Sequence, residues 1–291
     1  MSLLSLPALD AEVFKTNNGT LYLKEPGVVM LSAPYVDISG MKTFLEGFDP
    51  ELEFPKYLDD PNDLNSADQL IKVSGQLCYE SFGPKRSWNK DADKYFTNIK
   101  ASSHGSVLEC ANFSFLFYGI SRSLTHELVR HRVGTHFSQA SQRYIDGSRL
   151  RFVERPEYQN DKYLHTIFVD RIDEIAEEYE YIAKKLLELQ KDGNEILSAD
   201  KKTDLRKKVN QVARSILPNE TEAPIVMTGN VRSWRHIIEM RASEHAETEI
   251  RRLAIRVYKC LLPMAPHAFS DYTIKQLGDG TEVLDTPFRK V

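Results

Sequence analysis

Ala111 to Tyr118 reads ANFSFLFY, and Ser121 to Arg132 reads SRSLTHELVRHR. In the first stretch Phe113, Phe115 and Phe117 alternate with Ser114, Leu116 and Tyr118. Strand side chains point alternately to opposite faces, so this pattern predicts a strand with one strongly aromatic face. Gly119 ends it. In the second stretch Leu124, Leu128 and Val129 share one side of a helix that Ser121 or Ser123 can cap. That helix is expected to run to Arg132.

Working outward, Val28 to Met30 reads as a short strand, and the Pro-, Asp- and Asn-rich run from Glu53 to Asp68 reads as a loop. Ser66 is expected to cap a helix whose inward residues are Leu70, Ile71 and Val73. Helix is also expected from Ser87 to Lys100, around Tyr95 and Ile99. Leu150 to Val153 reads as a strand. From Val169 to Gln190 apolar residues recur every three or four positions, which predicts a long amphipathic helix stopped by Gly193. A second helix spans roughly Thr203 to Ile216 and ends before Pro218, and Pro224 to Met227 reads as a short strand. The last helix is expected to run unbroken from Arg232 to Leu262, before Pro263.

Composition sets outer bounds. The chain has 291 residues, 41% hydrophobic and 27% charged, with a formal net charge of −4. That is ordinary for a globular protein with an ample core. It argues against a general nucleic-acid binder, because duplex affinity rests on cationic charge releasing counterions. Cys78, Cys110 and Cys260 are an odd number at wide spacing, with no Cys-x-x-Cys pair. Buried free thiols in a reducing compartment are expected. The N-terminus lacks a basic region before its apolar run, and no run reaches the ~20 residues a membrane helix needs. Together these point to the cytoplasm.

Cations concentrate in the middle of the chain. From Arg130 to Arg151 there are five arginines, at 130, 132, 143, 149 and 151, against the single acid Asp146. Thr135, Ser138, Gln139, Ser141 and Gln142 lie among them. Arginine forks with hydroxyl and amide donors are a phosphate-holding set. A solvated basic face and favourable placement at a helix C-terminus explain the same residues structurally. On the last helix Trp234, Ile237 and Ile238 form an apolar stripe that Arg241 and His245 continue at seven-residue steps. Both are therefore expected to point inward, where an arginine needs an acid or a bound anion. Asn230, Arg232 and His236 lie just upstream. No zinc-hydrolase helix, Rossmann glycine turn or Walker loop occurs, so any dinucleotide is bound without them.

Leu124 to Ile145, LTHELVRHRVGTHFSQASQRYI, resembles the signature of flavin-dependent thymidylate synthases. That signature has an Arg-His-Arg triplet, a spaced serine and an Arg-Tyr pair; here these are Arg130-His131-Arg132, Ser141 and Arg143-Tyr144. HGSVLECANFSF, from His104 to Phe115, is similar to the family's His-x-Thr-x-x-Glu segment. VARSILP, from Val212 to Pro218, resembles its Ala-Arg-x-x-Leu-Pro element. NVRSWRHIIEMRASEHAETEI, from Asn230 to Ile250, resembles its Asn-x-Arg-Ser to Arg-Ala-x-x-His-Ala helix. The four blocks fall in order over about residues 66–266. The chain departs from the pattern in having eight residues between triplet and serine, Val133 to Ala140, where seven are commonest. Glu127 replaces a glutamine, Gln139 an acid, Ser106 a threonine and His236 an asparagine.

The resemblance implies an α+β fold, an antiparallel-rich central sheet flanked by long helices. Residues 65–291 would form the synthase domain and residues 1–64 an extension packed on or near it. It implies reductive methylation of dUMP to dTMP with FAD, methylenetetrahydrofolate as one-carbon donor and NADPH as reductant, releasing tetrahydrofolate. The assembly would be a homotetramer whose active sites are shared between subunits. Ser106, Arg130, His131, Arg132, Asn230, Arg232, His236 and His245 would contact FAD. Glu127, Gln139, Ala140, Ser141, Gln142, Arg143, Arg214 and Arg241 would contact the nucleotide, with Arg241 the catalytic cation beside the uracil. Ser141 is read as a phosphate ligand, because no base beside it is fixed by the sequence. Competing readings are a nucleotide-binding module without redox chemistry, an RNA binder using the basic segment, and a family member that has lost activity.

Overall fold

The alternating phenylalanines are buried as a strand requires: Phe113, Phe115 and Phe117 are all sealed from solvent. A computed structural model of the chain describes residues 5–61, 64–145, 150–191, 202–278 and 280–291. In chain order the elements begin with β1 (Ala8–Leu9), β2 (Val13–Lys15), β3 (Leu21–Leu23) and β4 (Gly27–Ser32). Three helices follow: α1 (Lys42–Glu46), α2 (Ser66–Leu77) and α3 (Ala92–Ala101). Next come β5 (Asn112–Tyr118), α4 (Arg122–Leu128), β6 (Thr135–Gln139) and β7 (Arg151–Val153). The paired helices α5 (Lys162–Lys191) and α6 (Lys202–Ala213) lead into β8 (Ile225–Asn230). The chain closes with α7 (Val231–Arg241), α8 (Thr248–Leu261), α9 (Pro266–Phe269), β9 (Thr273–Gln276) and β10 (Glu282–Asp285).

The central sheet has the order β1-β4-β5-β8-β6, and every neighbouring pair is antiparallel. A smaller sheet, β2-β3-β7, contains one parallel pairing, and β9 with β10 makes a hairpin. The architecture is α+β, an antiparallel sheet flanked by helices, as the resemblance implies. One face of the central sheet carries Val28, Met30, Phe113, Phe115, Phe117, Ile225 and Met227 into the main core. Helix α7 covers it with Trp234, Ile237 and Ile238, and α8 with Leu253, Ala254, Val257 and Leu261. Trp234 meets Phe115 edge-on, ring centroids 5.1 Å apart, an arrangement worth about 0.5–1.5 kcal/mol beyond area burial. The opposite face is only partly buried and mixed: Val29, Leu116 and Val226 lie beside Ser114 and Thr228, whose hydroxyls hydrogen-bond across β5 and β8 at 2.8 Å. An antiparallel sheet with one buried face produces this alternation.

Several sequence expectations change. The helix expected over 121–132 closes at Leu128; Ser121 caps it, its Oγ accepting from Leu124 N at 3.1 Å. Arg130, His131 and Arg132 therefore occupy the turn leading to β6. The helix expected from Arg232 to Leu262 is two helices, broken at Ala242 to Glu247. Ser66 is not a cap: Asn65 holds that position, and Ser66 Oγ accepts from Val36 N instead. The run read as a loop contains a 3-10 helix, Phe54–Asp59, whose Phe54 and Tyr57 pack on Leu45 and Phe82. The long amphipathic helix starts earlier than expected, at Lys162. The stop signal assigned to Gly193 lies outside the described residues. No described helix is long and apolar enough to cross a membrane.

Candidate active site

Strand β6 is the edge of the central sheet, and the candidate residues collect at its two ends. Thr135 pairs with Gly229 next to the start of α7, whereas Gln139 pairs with Ile225 at the far end. Those ends are about 13 Å apart at the usual rise of a strand.

At the α7 end the 130–134 turn is clamped by the start of that helix. Asn230 caps α7, its Oδ1 accepting from Ser233 N at 2.8 Å and from Ser233 Oγ at 2.9 Å. Ser233 Oγ also lies 2.7 Å from the Val133 carbonyl, and Thr135 Oγ1 donates to the His131 carbonyl. Gly134 has φ +66°, and a Cβ there would lie 2.4 Å from Ser233 Oγ, so only glycine fits both the backbone and the space. The result is a cleft of about 140 Å³ lined by Arg130, His131, Arg132, Thr135, Ser233 and His236. The His131 and His236 rings meet edge-on, centroids 5.8 Å apart. Arg130 and Arg132 are exposed, and among the described residues neither guanidinium has a hydrogen-bond or ion-pair partner.

Arg241 stands behind His131, outside the cleft lining itself. Its Nε donates to His131 Nε2 at 2.8 Å, and its Nη1 lies 2.6 Å from Glu127 Oε2. An Nε2 that accepts from a guanidinium belongs to a neutral imidazole with its proton on Nδ1. The surroundings enforce that state: burial first, then the charges of Arg241, His236 and Arg130, push His131 down to about 4. The acid that partners Arg241 is thus Glu127, 114 residues away in sequence, rather than the adjacent Glu244. Just outside the cleft, Arg232 Nη1 pairs with Glu109 Oε1 at 2.6 Å. Gly105 backs directly onto Arg232, leaving no room for a Cβ, which brings exposed Ser106 to the same corner.

At the far end of β6, Ala140 N donates to the Pro224 carbonyl at 2.9 Å. The chain then turns on Ser141, whose carbonyl accepts from Tyr144 N and Ile145 N. Ser141 Oγ accepts from Arg143 N at 3.4 Å; among the described residues no base hydrogen-bonds it. Gln142 is half-buried, and Arg143 Nε is buried without a partner. Asn210 of α6 holds the turn through the Ile145 carbonyl at 3.1 Å, and half-buried Arg214 follows that helix. Gln139 Nε2 reaches back to Thr125 Oγ1 of α4 at 3.1 Å, which links the two ends.

The structure therefore joins Glu127, Arg130, His131, Arg132, Asn230, His236 and Arg241 in one corner, with Ser106 and Arg232 beside it. Gln139, Ala140, Ser141, Gln142 and Arg143 form a second group. His245 joins neither: the break after Arg241 leaves its side chain 88% exposed, beside Glu244 at 3.5 Å. Sequence reasoning missed Ser233, Thr125 and Glu109. Ser233 was findable, because it stands three residues after a capping asparagine, where a cap's acceptor meets a backbone donor. Among the described residues no cluster could hold a metal ion.

A model of the family described as "Thymidylate synthase complementing protein" matches residues 62–267. The chain belongs to the flavin-dependent thymidylate synthase family. It is 40% identical over 241 residues to the flavin-dependent thymidylate synthase of Mycolicibacterium gilvum, covering 81% of this chain and 92% of that one. It is 43% identical over 231 residues to that of Mycobacterium tuberculosis, covering 77% of this chain and 87% of that one. Among solved structures it resembles the UMP/dUMP methylase PolB from Streptomyces cacaoi bound with 5-Br dUMP. The TM-score there is 0.57 at 15% identity, over 85% of this chain and 94% of that one, which is a likeness of fold. The family match spans both ends of β6 and the α7 corner.

Proposed function

We propose that the chain methylates dUMP to dTMP as an FAD-dependent enzyme, with methylenetetrahydrofolate as one-carbon donor and NADPH as reductant, releasing tetrahydrofolate. The observation that carries this reading is the cleft with two unpartnered guanidiniums, Arg130 and Arg132, next to a half-buried Arg241. Unpaired arginine forks suit the pyrophosphate of a dinucleotide, so the donor set fits FAD. Ser106, Arg232, His236 and the Asn230 corner would extend that grip, and exposed His245 would be reached from the solvent side. A cleft of about 140 Å³ is too small for a whole dinucleotide, since ligand sites usually span about 300–1,000 Å³. In this reading neighbouring copies in a homotetramer complete each site. In this reading residues 65–291 carry the synthase unit, residues 1–64 pack on it, and the protein works in the cytoplasm.

When bound, the flavin supplies the redox chemistry. The chain's own residues bind and orient. Ser141, Gln142, Arg143 and Arg214 hold the nucleotide phosphate and sugar, with Gln139 and Ala140 setting the height of the turn. Glu127 and neutral His131 fix the plane of the Arg241 guanidinium. Arg241 would then face the uracil and stabilise the negative charge that develops on the ring as hydride arrives. Ser141 acts as a phosphate ligand rather than a nucleophile, because it lacks an adjacent base.

The test is a product determination. Protein supplied with FAD, dUMP, methylenetetrahydrofolate and NADPH should form dTMP and tetrahydrofolate in equal amounts. Dihydrofolate as the folate product, or no dTMP from flavin-loaded protein, would overturn the reading.

A further inference from the structure

A second cationic cleft lies on the outer side of α8 and shares no lining residue with the site above. It has a volume of about 340 Å³, within the range of small-molecule sites, and lies between α8, Glu25 and the β9–β10 turn. Arg251, Arg252, Arg256 and Lys259 line it, all within nine residues of one helix. Two of the four charges are balanced locally: Arg252 pairs with Glu25 and Lys259 with Glu282, each at 2.7 Å.

Arg251 and Arg256 have no carboxylate partner among the described residues. Arg251 is 5% exposed and donates to the Glu244 carbonyl at 3.3 Å and to Thr281 Oγ1 at 3.0 Å. Arg256 donates to the Asp10 carbonyl at 2.6 Å, while the Asp10 carboxylate accepts from Tyr118 Oη at 3.3 Å. The Nε of both arginines is buried and unsatisfied. Arg252 and Arg256 also stand four residues apart, a repulsive spacing for like charges on a helix. A buried cation without a counter-charge is costly. Here Arg251 is such a cation, and half-buried Arg256 lines the same cleft in a chain whose net charge is −4. The cleft lining contains no aromatic side chain on which a base could stack.

We propose that this cleft binds a small, multiply charged phosphoryl anion, held chiefly by Arg251 and Arg256. The recognised chemistry is the phosphate chain itself, whether free pyrophosphate or the tail of a nucleoside triphosphate. The anion supplies the counter-charge that the fold leaves out.

The experiment is calorimetric titration and thermal melting of the full chain with inorganic pyrophosphate at constant ionic strength. The double variant Arg130→Ala/Arg143→Ala, weakened at both anion sites proposed above, serves for comparison. One pyrophosphate per chain should bind at this cleft with a saturable rise in Tm. That binding should persist in the double variant and weaken at least tenfold in Arg256→Gln. Without ligand, Arg256→Gln should melt at or above wild type, since it removes an uncompensated charge; a lower Tm would mark Arg256 as structural and count against the site. Adenosine triphosphate should bind within about threefold of pyrophosphate. Binding that Arg256→Gln leaves within twofold, no binding beyond a matched chloride control, or binding by the nucleotide alone would each overturn the proposal.

Discussion

Two of the three arginines of helix α7 have opposite fates. Arg235 is 2% exposed and built in: its guanidinium forks onto Asp271 at 2.8 and 2.9 Å and donates to the Ala268 and Phe288 carbonyls, leaving only Nε without an acceptor. Lys100 joins the same aspartate at 2.7 Å, and burial of the Asp271 carboxylate is outweighed by these partners, which hold it below the usual carboxylate range. Arg241, six residues on, keeps 19% of its side chain exposed and has one partly exposed carboxylate and one histidine for company. A guanidinium surrounded by acceptors locks elements together. One held in plane by a single acid and a histidine, and still partly exposed, keeps donor capacity that the fold does not use.

The largest effect expected from this contrast is on Arg235. Breaking a buried pair by removing one partner leaves an uncompensated charge and costs about 3–5 kcal/mol. Arg235→Ala should therefore lower the unfolding free energy by that order in denaturant titration; a loss below about 1 kcal/mol would show that the C-terminal segment is not pinned through Asp271. Glu127→Gln should cost far less, under about 1 kcal/mol, because the Glu127–Arg241 pair is partly solvated. A large drop in Tm in that variant would make Arg241 structural after all.

A further expectation concerns protonation. His131 is pushed from the ordinary 6.5 down to about 4 by burial and neighbouring cations. In acid the unfolded chain takes up a proton at this residue near 6.5, while the folded chain does not until about 4. Its contribution to stability is therefore complete above 6.5 and is lost as pH falls toward 4. The His131 ring protons should show no titration in NMR between pH 8 and 5. An inflection near 6.5 would contradict the hydrogen bond from Arg241.

Parts of this arrangement are legible in the sequence. The aromatic face of β5 was legible because Phe113, Phe115 and Phe117 repeat with the period of a strand and all go inward. The Ser121 cap was legible for the same local reason. The break between α7 and α8 was not. Trp234, Ile238, Arg241 and His245 keep helical spacing straight through it, and no glycine or proline marks Ala242 to Glu247. That false continuity placed His245 inside, when it is exposed. Strands β1 to β3 have two or three residues each, too short for a periodic signal; β1 is held by pairing with β4, and β2 and β3 by pairing with each other and with β7. The candidate residue types were readable from the motif. Their grouping at two ends of β6 was not, because that strand lay hidden among residues picked out for their charge and hydrogen bonding. The pairing of Glu127 with Arg241 depends on a contact between α4 and α7 that no local pattern encodes.

The central claim is that Arg241 serves the reaction and not the fold. Its most direct test is a paired measurement on Arg241→Ala: melting temperature, and dUMP-dependent dTMP formation by the flavin-loaded protein. The Tm should stay within a few degrees of wild type, while turnover falls about 100- to 1,000-fold, the loss typical of removing one group that stabilises developing charge. Turnover within a few-fold of wild type, with the fold intact, would contradict it.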